Sequence, residues 1–177
     1  MRDKFSGDMS VSVITKEITV DSTPERVWDV LSDYTGISNW SPSVEGAEGT
    51  SSNEQGLGAV RSCQVSGLGS IEETVVDWKD GDHLTIEITP FGPMKKSIST
   101  WSVRDRNGKT IVRARVEFQA KFGLIGSLME KLIMRRKFSK VIGESLEGLR
   151  YYCETGEKVG TGLPANATGA PPVEITA

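Results

Sequence analysis

The chain has 177 residues, of which 21 are basic and 24 acidic, and its formal net charge is −3. This length fits one domain with a hydrophobic core. The near balance of charge argues against nucleic acid as a partner, because phosphate binding requires an excess of basic side chains. The two cysteines, Cys63 and Cys153, form no ligand cluster with the single histidine. We therefore expect no metal site.

Targeting signals are not evident in the sequence. No apolar run approaches the ~20 residues of a membrane-spanning helix, and MRDKFSGDMSVSV lacks the apolar core of a signal peptide. These features predict a soluble, cytoplasmic protein. Residues 1–9 are predicted to be a polar leader, and residues 10–155 the domain. Residues 156–177 are rich in Gly, Pro, Thr and Ala, which predicts a disordered tail.

The first predicted element is a strand over residues 11–20, VSVITKEITV, in which apolar and polar residues alternate. Val13 points to one side, whereas Ile18 and Val20 are one step out of phase with it. We therefore predict a β-bulge near Lys16, which would reconcile the two halves.

A helix is predicted next, in the segment STPERVWDVLSDYTGISNWSPSV. Ser22 and Glu25 have the spacing of a capping box, and Pro24 occupies the first turn, where its missing N–H costs no hydrogen bond. Apolar residues follow at helical spacing: Val27, Val30, Leu31 and Tyr34. Gly36 is predicted to end this helix, and ISNW forms a second short turn that Pro42 stops.

The region from residue 44 to residue 121 has the alternation of β-strands. The predicted strands are VEGAEGTS, AVRSCQV, GSIEETVVDW, LTIEITP, KSISTWSVRDR and KTIVRARVEFQAK. Asp80-Gly81 and Asn107-Gly108 predict tight turns between neighbouring strands. The last strand alternates apolar and charged residues, so we expect an antiparallel sheet that is covered on one face only.

The last predicted element is a long helix over residues 122–154, a segment without proline. One apolar stripe contains Leu124, Ile125, Leu128, Met129, Leu132 and Ile133, and a second contains Ile142, Leu146, Leu149 and Cys153. At ~100° per residue, the two stripes are offset by roughly a quarter turn. We therefore predict a kink or a helix boundary at residues 134–137.

This order of one strand, two short helices, about six strands and a long helix is that of the helix-grip fold. The segment after the first strand resembles the signature of the SRPBCC superfamily, which includes START, Bet v 1-like and polyketide cyclase/dehydrase-like proteins. The matching residues are Pro24, Glu25, Val27, Trp28, Leu31, Asp33, Trp40 and Pro42. GSIEETVVDWKDGDHLTIEI and TWSVRDRNGKTIV also resemble family segments, so the resemblance covers residues 11–155.

The resemblance implies an α+β, Bet v 1-like architecture. A curved antiparallel sheet of about seven strands would wrap around the C-terminal helix, and a cavity would lie between them. The two short helices would brace the far end. Trp40 would fill that bracing element or lie at the cavity mouth.

No catalytic constellation is evident in the sequence. The single histidine, His83, lies beside a predicted turn, where a solvated side chain is expected. No GxSxG, HExxH or phosphate-binding loop occurs. We therefore assign no catalytic residue and no cofactor.

One glutamate of the strand GSIEETVVDW is expected to face the cavity, and the alternation leaves Glu72 and Glu73 as alternatives. We name Glu73, which shares a face with Ile71, as the candidate. A carboxylate in an apolar pocket has a raised pKa and can act as a general acid or base. The alternative is that it pairs with an arginine such as Arg61 or Arg104.

The remaining candidate ligand contacts are large or apolar side chains expected to face the cavity, although each is also consistent with core packing. They are Leu84, Ile86, Ile88, Trp101, Val103, Ala114, Val116 and Phe118 on strands, Leu128, Met129, Leu132 and Ile133 on the helix, and Trp40.

These features favour binding or transport of a small hydrophobic molecule, such as a lipid, a polyketide-like or an isoprenoid compound. The alternative is a polyketide cyclase or dehydratase that uses a cavity carboxylate. A protein-binding scaffold would remain if no cavity existed. A basic cluster on the long helix would make transient contact with an anionic membrane, unless it is only a solvated helix face. It comprises Arg135, Arg136, Lys137 and Lys140.

Overall fold

The structure is a computed structural model that describes residues 11–92, 94–120, 128–167 and 169–175, with the backbone alone at residues 120 and 128–131. Its elements in chain order are β1 Ser12–Val20, α1 Pro24–Ser32, a 3₁₀ helix Tyr34–Asn39, β2 Val44–Gly49, β3 Val60–Val65, β4 Gly69–Lys79, β5 His83–Ile88, β6 Met94–Arg106, β7 Lys109–Ala120, α2 Leu128–Thr155 and β8 Val173–Glu174.

The strands of the described residues form one eight-stranded antiparallel sheet in the order β2-β3-β4-β5-β6-β7-β1-β8. The expected α+β helix-grip arrangement is confirmed, with one short strand beyond the expected seven. Both predicted tight turns are present. Asn107 and Gly108 have φ values of 58° and 75°, as a two-residue turn that follows the twist of the sheet requires.

Strand β1 has no bulge. It pairs with β7 along its whole length without a register shift. Ile14 and Ile18 are buried, whereas Val13 is 37% exposed on the outer face. The predicted bulge near Lys16 is therefore wrong. Lys16 interrupts the apolar pattern of the inner face but not the register. Its Nζ atom lies 3.2 Å from the position that a Cβ would take at Gly143 of α2.

The caps of the short helices also differ from the prediction. The Thr23 side chain, rather than that of Ser22, accepts a hydrogen bond from the backbone N–H of Arg26 at 3.2 Å. Helix α1 ends at Ser32, and Gly36 lies inside the 3₁₀ helix. A Cβ at Gly36 would lie 2.1 Å from the carboxylate of Asp33, so a larger residue there would displace the side chain that caps this turn.

Helix α2 runs without interruption from Leu128 to Thr155. The boundary predicted at residues 134–137 is therefore wrong. The second stripe, from Ile142 to Cys153, is buried as predicted, whereas Leu132 and Ile133 are 44% and 50% exposed. In a continuous helix, nine residues make about two and a half turns, so Ile133 and Ile142 lie on opposite faces. Among the described residues, no helix is long and apolar enough to cross a membrane.

The segment after α2 is predicted to be disordered, and the structure differs over the residues that it describes. Val159 is buried, and its N–H donates to the carbonyl of Asn39 at 2.9 Å. The Arg150 guanidinium donates to the carbonyl of Ala170 at 2.7 Å. The N–H of Ile175 then donates to β1. The composition of this segment does not indicate its hydrogen bond to β1, because backbone hydrogen bonds to a sheet edge do not require apolar side chains.

Candidate ligand cavity

A cavity of about 140 Å³ lies between the inner face of the sheet and the middle of α2. We call it the inner cavity. Strands β3 to β7 supply one wall, and α2 supplies the other. The 3₁₀ helix and the loop after it close one end. Its lining is mainly apolar, with hydroxyl groups and one ion pair among the aliphatic and aromatic side chains.

Half of the candidate ligand contacts line this cavity. They are Trp40, Glu73, Leu84, Ile86, Ile88, Trp101 and Val116. Trp40 is buried, and its ring packs edge-on against Trp101 with the centroids 5.5 Å apart. Alternation along the strands indicated the inward positions of Leu84, Ile86, Ile88, Trp101 and Val116, whereas it left Glu72 and Glu73 open and does not apply to Trp40.

The other candidates lie elsewhere. Val103 and Ala114 are buried in the core without lining the cavity. Phe118 packs on Phe138 with the ring centroids 5.0 Å apart, so that Phe138 occupies the cavity wall instead. Leu132 and Ile133 project outwards from α2, which corrects the expectation that they face the cavity. The side chains of Leu128 and Met129 lie outside the described residues.

Glu73 is the glutamate that points inwards, and Arg61 is its partner. Register places the two residues opposite each other on β3 and β4. The Arg61 Nε and Nη2 atoms lie 2.7 Å and 2.5 Å from Glu73 Oε2. Arg61 also donates to the carbonyl of Tyr34, and its guanidinium lies 4.1 Å from the centroid of that ring. The Tyr34 hydroxyl donates to the carbonyl of Glu73 at 3.0 Å.

The groups around this pair stay in their ordinary protonation states at neutral pH. Burial raises the pKa of the Cys63 thiol to about 12, with a further contribution from the Glu73 carboxylate. Burial also raises the pKa of Tyr34, although Arg61 opposes the shift. Burial alone would lower the pKa of Arg61, but the Glu73 carboxylate and the other neighbours outweigh it and the net shift is upwards. The cavity wall thus carries opposite charges that compensate each other.

Some of the serine hydroxyl protons in the cavity are not donated in a hydrogen bond. The Ser41 hydroxyl lies 3.0 Å from that of Ser145 and 3.3 Å from that of Ser43. Three hydroxyls linked by two hydrogen bonds leave one proton unused. Ser99 accepts from the Trp101 indole at 2.9 Å, and its own proton has no acceptor among the described residues.

The Nε1 atom of Trp40 is buried without a hydrogen-bond partner within the described part of the chain. The Ser97 side chain, which is 2% exposed and lines the cavity, makes no hydrogen bond there either. Buried polar groups are normally hydrogen-bonded. This lining is therefore suited to a molecule that brings acceptor atoms with it.

A second cavity of about 460 Å³ adjoins the first. We call it the vestibule. The two cavities share the side chains of Leu68, Phe91, Phe138 and Val141. Leu68 is 52% exposed, so the vestibule reaches the protein surface. Lys137 is among its other lining residues. Trp40 lines the inner cavity and not the vestibule, so it does not lie at the mouth.

Several cavity residues were missed by the sequence analysis although a signal existed. Ser97 and Ser99 occupy the same alternating positions as Trp101 on β6. Phe138 and Ser145 follow from Ile142 once α2 is taken as one continuous helix. Leu68 and Phe91 lie in loops, where no periodic pattern identifies an inward side chain.

Metal ligation has no support in the described part of the chain, where no group of three or more His, Cys, Asp or Glu side chains could hold an ion. His83 lies at the hairpin between β4 and β5, with its ring nitrogens 3.4 Å from Asp77 and 3.5 Å from Asp82. It lies outside the lining of the inner cavity.

Residues 12–154 match the family described as polyketide cyclase / dehydrase and lipid transport. No curated protein matches the chain. The Zhui aromatase/cyclase from a Streptomyces species has a similar structure, with 16% identity, a TM-score of 0.69, and coverage of 82% of this chain and 94% of that one.

Two further solved structures are similar. A major latex-like protein from Panax ginseng has 10% identity and a TM-score of 0.63, with coverage of 80% of this chain and 97% of its own. A protein from Thermus thermophilus has 18% identity and a TM-score of 0.65, with coverage of 80% and 97%. At these identities the likeness establishes the fold alone.

Proposed function

The chain belongs to the polyketide cyclase/dehydrase and lipid transport family within the SRPBCC superfamily, and from this premise we propose that it binds a small, largely apolar molecule in the inner cavity. The observation that carries the proposal is a mainly apolar cavity joined to the surface by a vestibule. Ligand sites typically combine an apolar lining with a few polar groups.

The size of the cavity limits the part of the ligand that it can enclose. A volume of about 140 Å³ is close to that of an apolar cavity of about 150 Å³ that holds benzene. A single ring therefore fits inside, and a longer lipid, polyketide-like or isoprenoid molecule extends into the vestibule. Burial of about 300 Å² of apolar surface contributes about 7 kcal/mol gross. Without any cost, about 7 kcal/mol corresponds to a Kd of about 10 μM, and the cost of association makes the affinity weaker than that.

The polar lining favours a neutral ligand with an acceptor oxygen. The charges of Arg61 and Glu73 compensate each other, so that no unpaired charge attracts an ionic ligand. Ser97 and Ser99 have unused hydroxyl protons, and a carbonyl oxygen accepts hydrogen bonds without bringing a competing donor.

Acetophenone and ethylbenzene test this proposal, because they share a shape and differ in one carbonyl oxygen. We expect both to perturb the NMR signals of the cavity residues. Ser97→Ala should weaken the binding of acetophenone about threefold to tenfold, which is the contribution of one hydrogen bond. The binding of ethylbenzene should be unchanged. Ser102→Ala, on the same strand but outside the cavity lining, is the matched control. Absence of binding by both probes would overturn the proposal.

Catalysis of a cyclisation or dehydration is the second candidate function. One observation favours it: Glu73 lines the cavity, and its hydrogen bonds from Arg61 and Cys63 both end on Oε2, so that Oε1 accepts no hydrogen bond from the described residues. An available carboxylate oxygen could take a proton from a carbon between two carbonyl groups. The similarity to an aromatase/cyclase adds only an analogy of fold.

Glu73→Gln separates catalysis from binding. If the protein binds its ligand without catalysis, a linear β-diketone thioester should remain unconverted. We expect this result for the wild type, for Glu73→Gln and for the control Glu72→Gln. Mass spectrometry would detect a dehydrated, cyclised product by its loss of one water. Product formed by the wild type and Glu72→Gln, but not by a folded Glu73→Gln, would establish the catalytic alternative.

A further inference from the structure

The solvent side of the N-terminal half of α2 carries one continuous stripe. Ile133, Arg136, Lys137 and Lys140 are spaced at i, i+3, i+4 and i+7, which places them on one helix face. All four are exposed, and Ile133 is 50% exposed. Leu132 is exposed beside them. We call these four residues the basic stripe.

The cations of the basic stripe have few acidic side chains near them to neutralise their charge. Arg136 and Lys137 have no ion-pair partner among the described residues. The Nζ atom of Lys140 lies 3.7 Å from Glu144, which is a long contact between exposed groups. Arg135 differs from them, because Glu174 and the carbonyl of Val13 accept hydrogen bonds from its guanidinium. Arg135 is therefore not counted in the stripe.

The position of the basic stripe connects it with the vestibule. Lys137 and Lys140 belong to the stripe and also line the vestibule, together with Val141. The chain as a whole has a net charge of −3, so this cationic region has the opposite sign to the molecule. A surface that attracts the stripe would therefore orient the protein with its vestibule facing that surface.

We infer that the basic stripe docks the protein on the surface of an anionic lipid bilayer, where Leu132 and Ile133 enter the headgroup region. A bilayer offers both partners that the stripe requires, since anionic headgroups attract cations and the interface accepts aliphatic side chains. A nucleic acid backbone would satisfy the cations and leave the exposed aliphatic residues without a partner. The inference does not depend on which molecule the cavity binds.

Vesicle flotation of the full chain tests the inference. We expect binding to phosphatidylcholine vesicles that contain phosphatidylserine, none to phosphatidylcholine alone, and a loss of binding as salt increases. Each cation of the stripe should contribute about fivefold in affinity (~1 kcal/mol). Arg136→Gln/Lys137→Gln/Lys140→Gln should therefore lose most of the binding.

The matched control removes three cations that do not line the vestibule. Arg104, Lys109 and Lys158 are exposed and have no ion pair within the described structure. The variant Arg104→Gln/Lys109→Gln/Lys158→Gln should float like the wild type. Ile133→Ser should weaken vesicle binding without changing binding to heparin, a soluble polyanion. Equal loss in both triple variants, equal flotation of the wild type with both vesicle types, or no effect of Ile133→Ser would overturn the bilayer assignment.

Discussion

Replacement of Arg61 by methionine should destabilise the protein by about 3–5 kcal/mol, because it leaves the Glu73 carboxylate buried without its counter-charge. Arg61 is 4% exposed and donates hydrogen bonds to the Glu73 carboxylate and to the carbonyl of Tyr34. Urea unfolding measures the loss. The double variant Arg61→Met/Glu73→Leu should recover most of it, because a packed apolar pair is often as stable as a buried ion pair.

A large deficit is expected only where the arginine that is removed is buried and paired. Arg104→Met, at an exposed position, is the control and should change stability by less than about 0.5 kcal/mol. An equally small effect of Arg61→Met would contradict the structural role of the pair.

Filling the inner cavity should weaken ligand binding strongly without unfolding the protein. Ser97→Leu directs an added aliphatic group into a cavity of about 140 Å³ and removes the unpaired hydroxyl. We expect acetophenone and ethylbenzene to bind at least about tenfold more weakly, a loss of about 1.4 kcal/mol. Each added CH₂ that becomes buried contributes about 0.8 kcal/mol, so stability should be maintained or slightly increased.

Native mass spectrometry of protein purified from its own host provides a second measurement for this variant. A small molecule retained by the wild type and by the control Ser102→Leu should be absent from Ser97→Leu. Ser102 is outside the cavity lining, so its substitution leaves the cavity volume unchanged. Full retention by a folded Ser97→Leu would show that the ligand lies elsewhere.

Local patterns in the sequence are sufficient to predict the features that depend on neighbouring residues. Asn107-Gly108 specifies a turn in which both residues have positive φ, and alternation along β7 identifies its buried face. The stripe from Ile142 to Cys153 identifies the face of α2 that covers the sheet. The family signature extended these local patterns to the whole helix-grip fold.

Contacts between residues that are distant in sequence follow from the packing of the elements and not from local patterns. The pairing of β3 with β4 selected Glu73 over Glu72 and gave it Arg61 as a partner. Continuity of α2 turned Ile133 away from the cavity, and a sheet edge ordered the described part of a tail whose composition predicts disorder. The inner cavity is the space that remains after all elements have packed. Its volume therefore depends on contacts between distant segments, which no local pattern encodes.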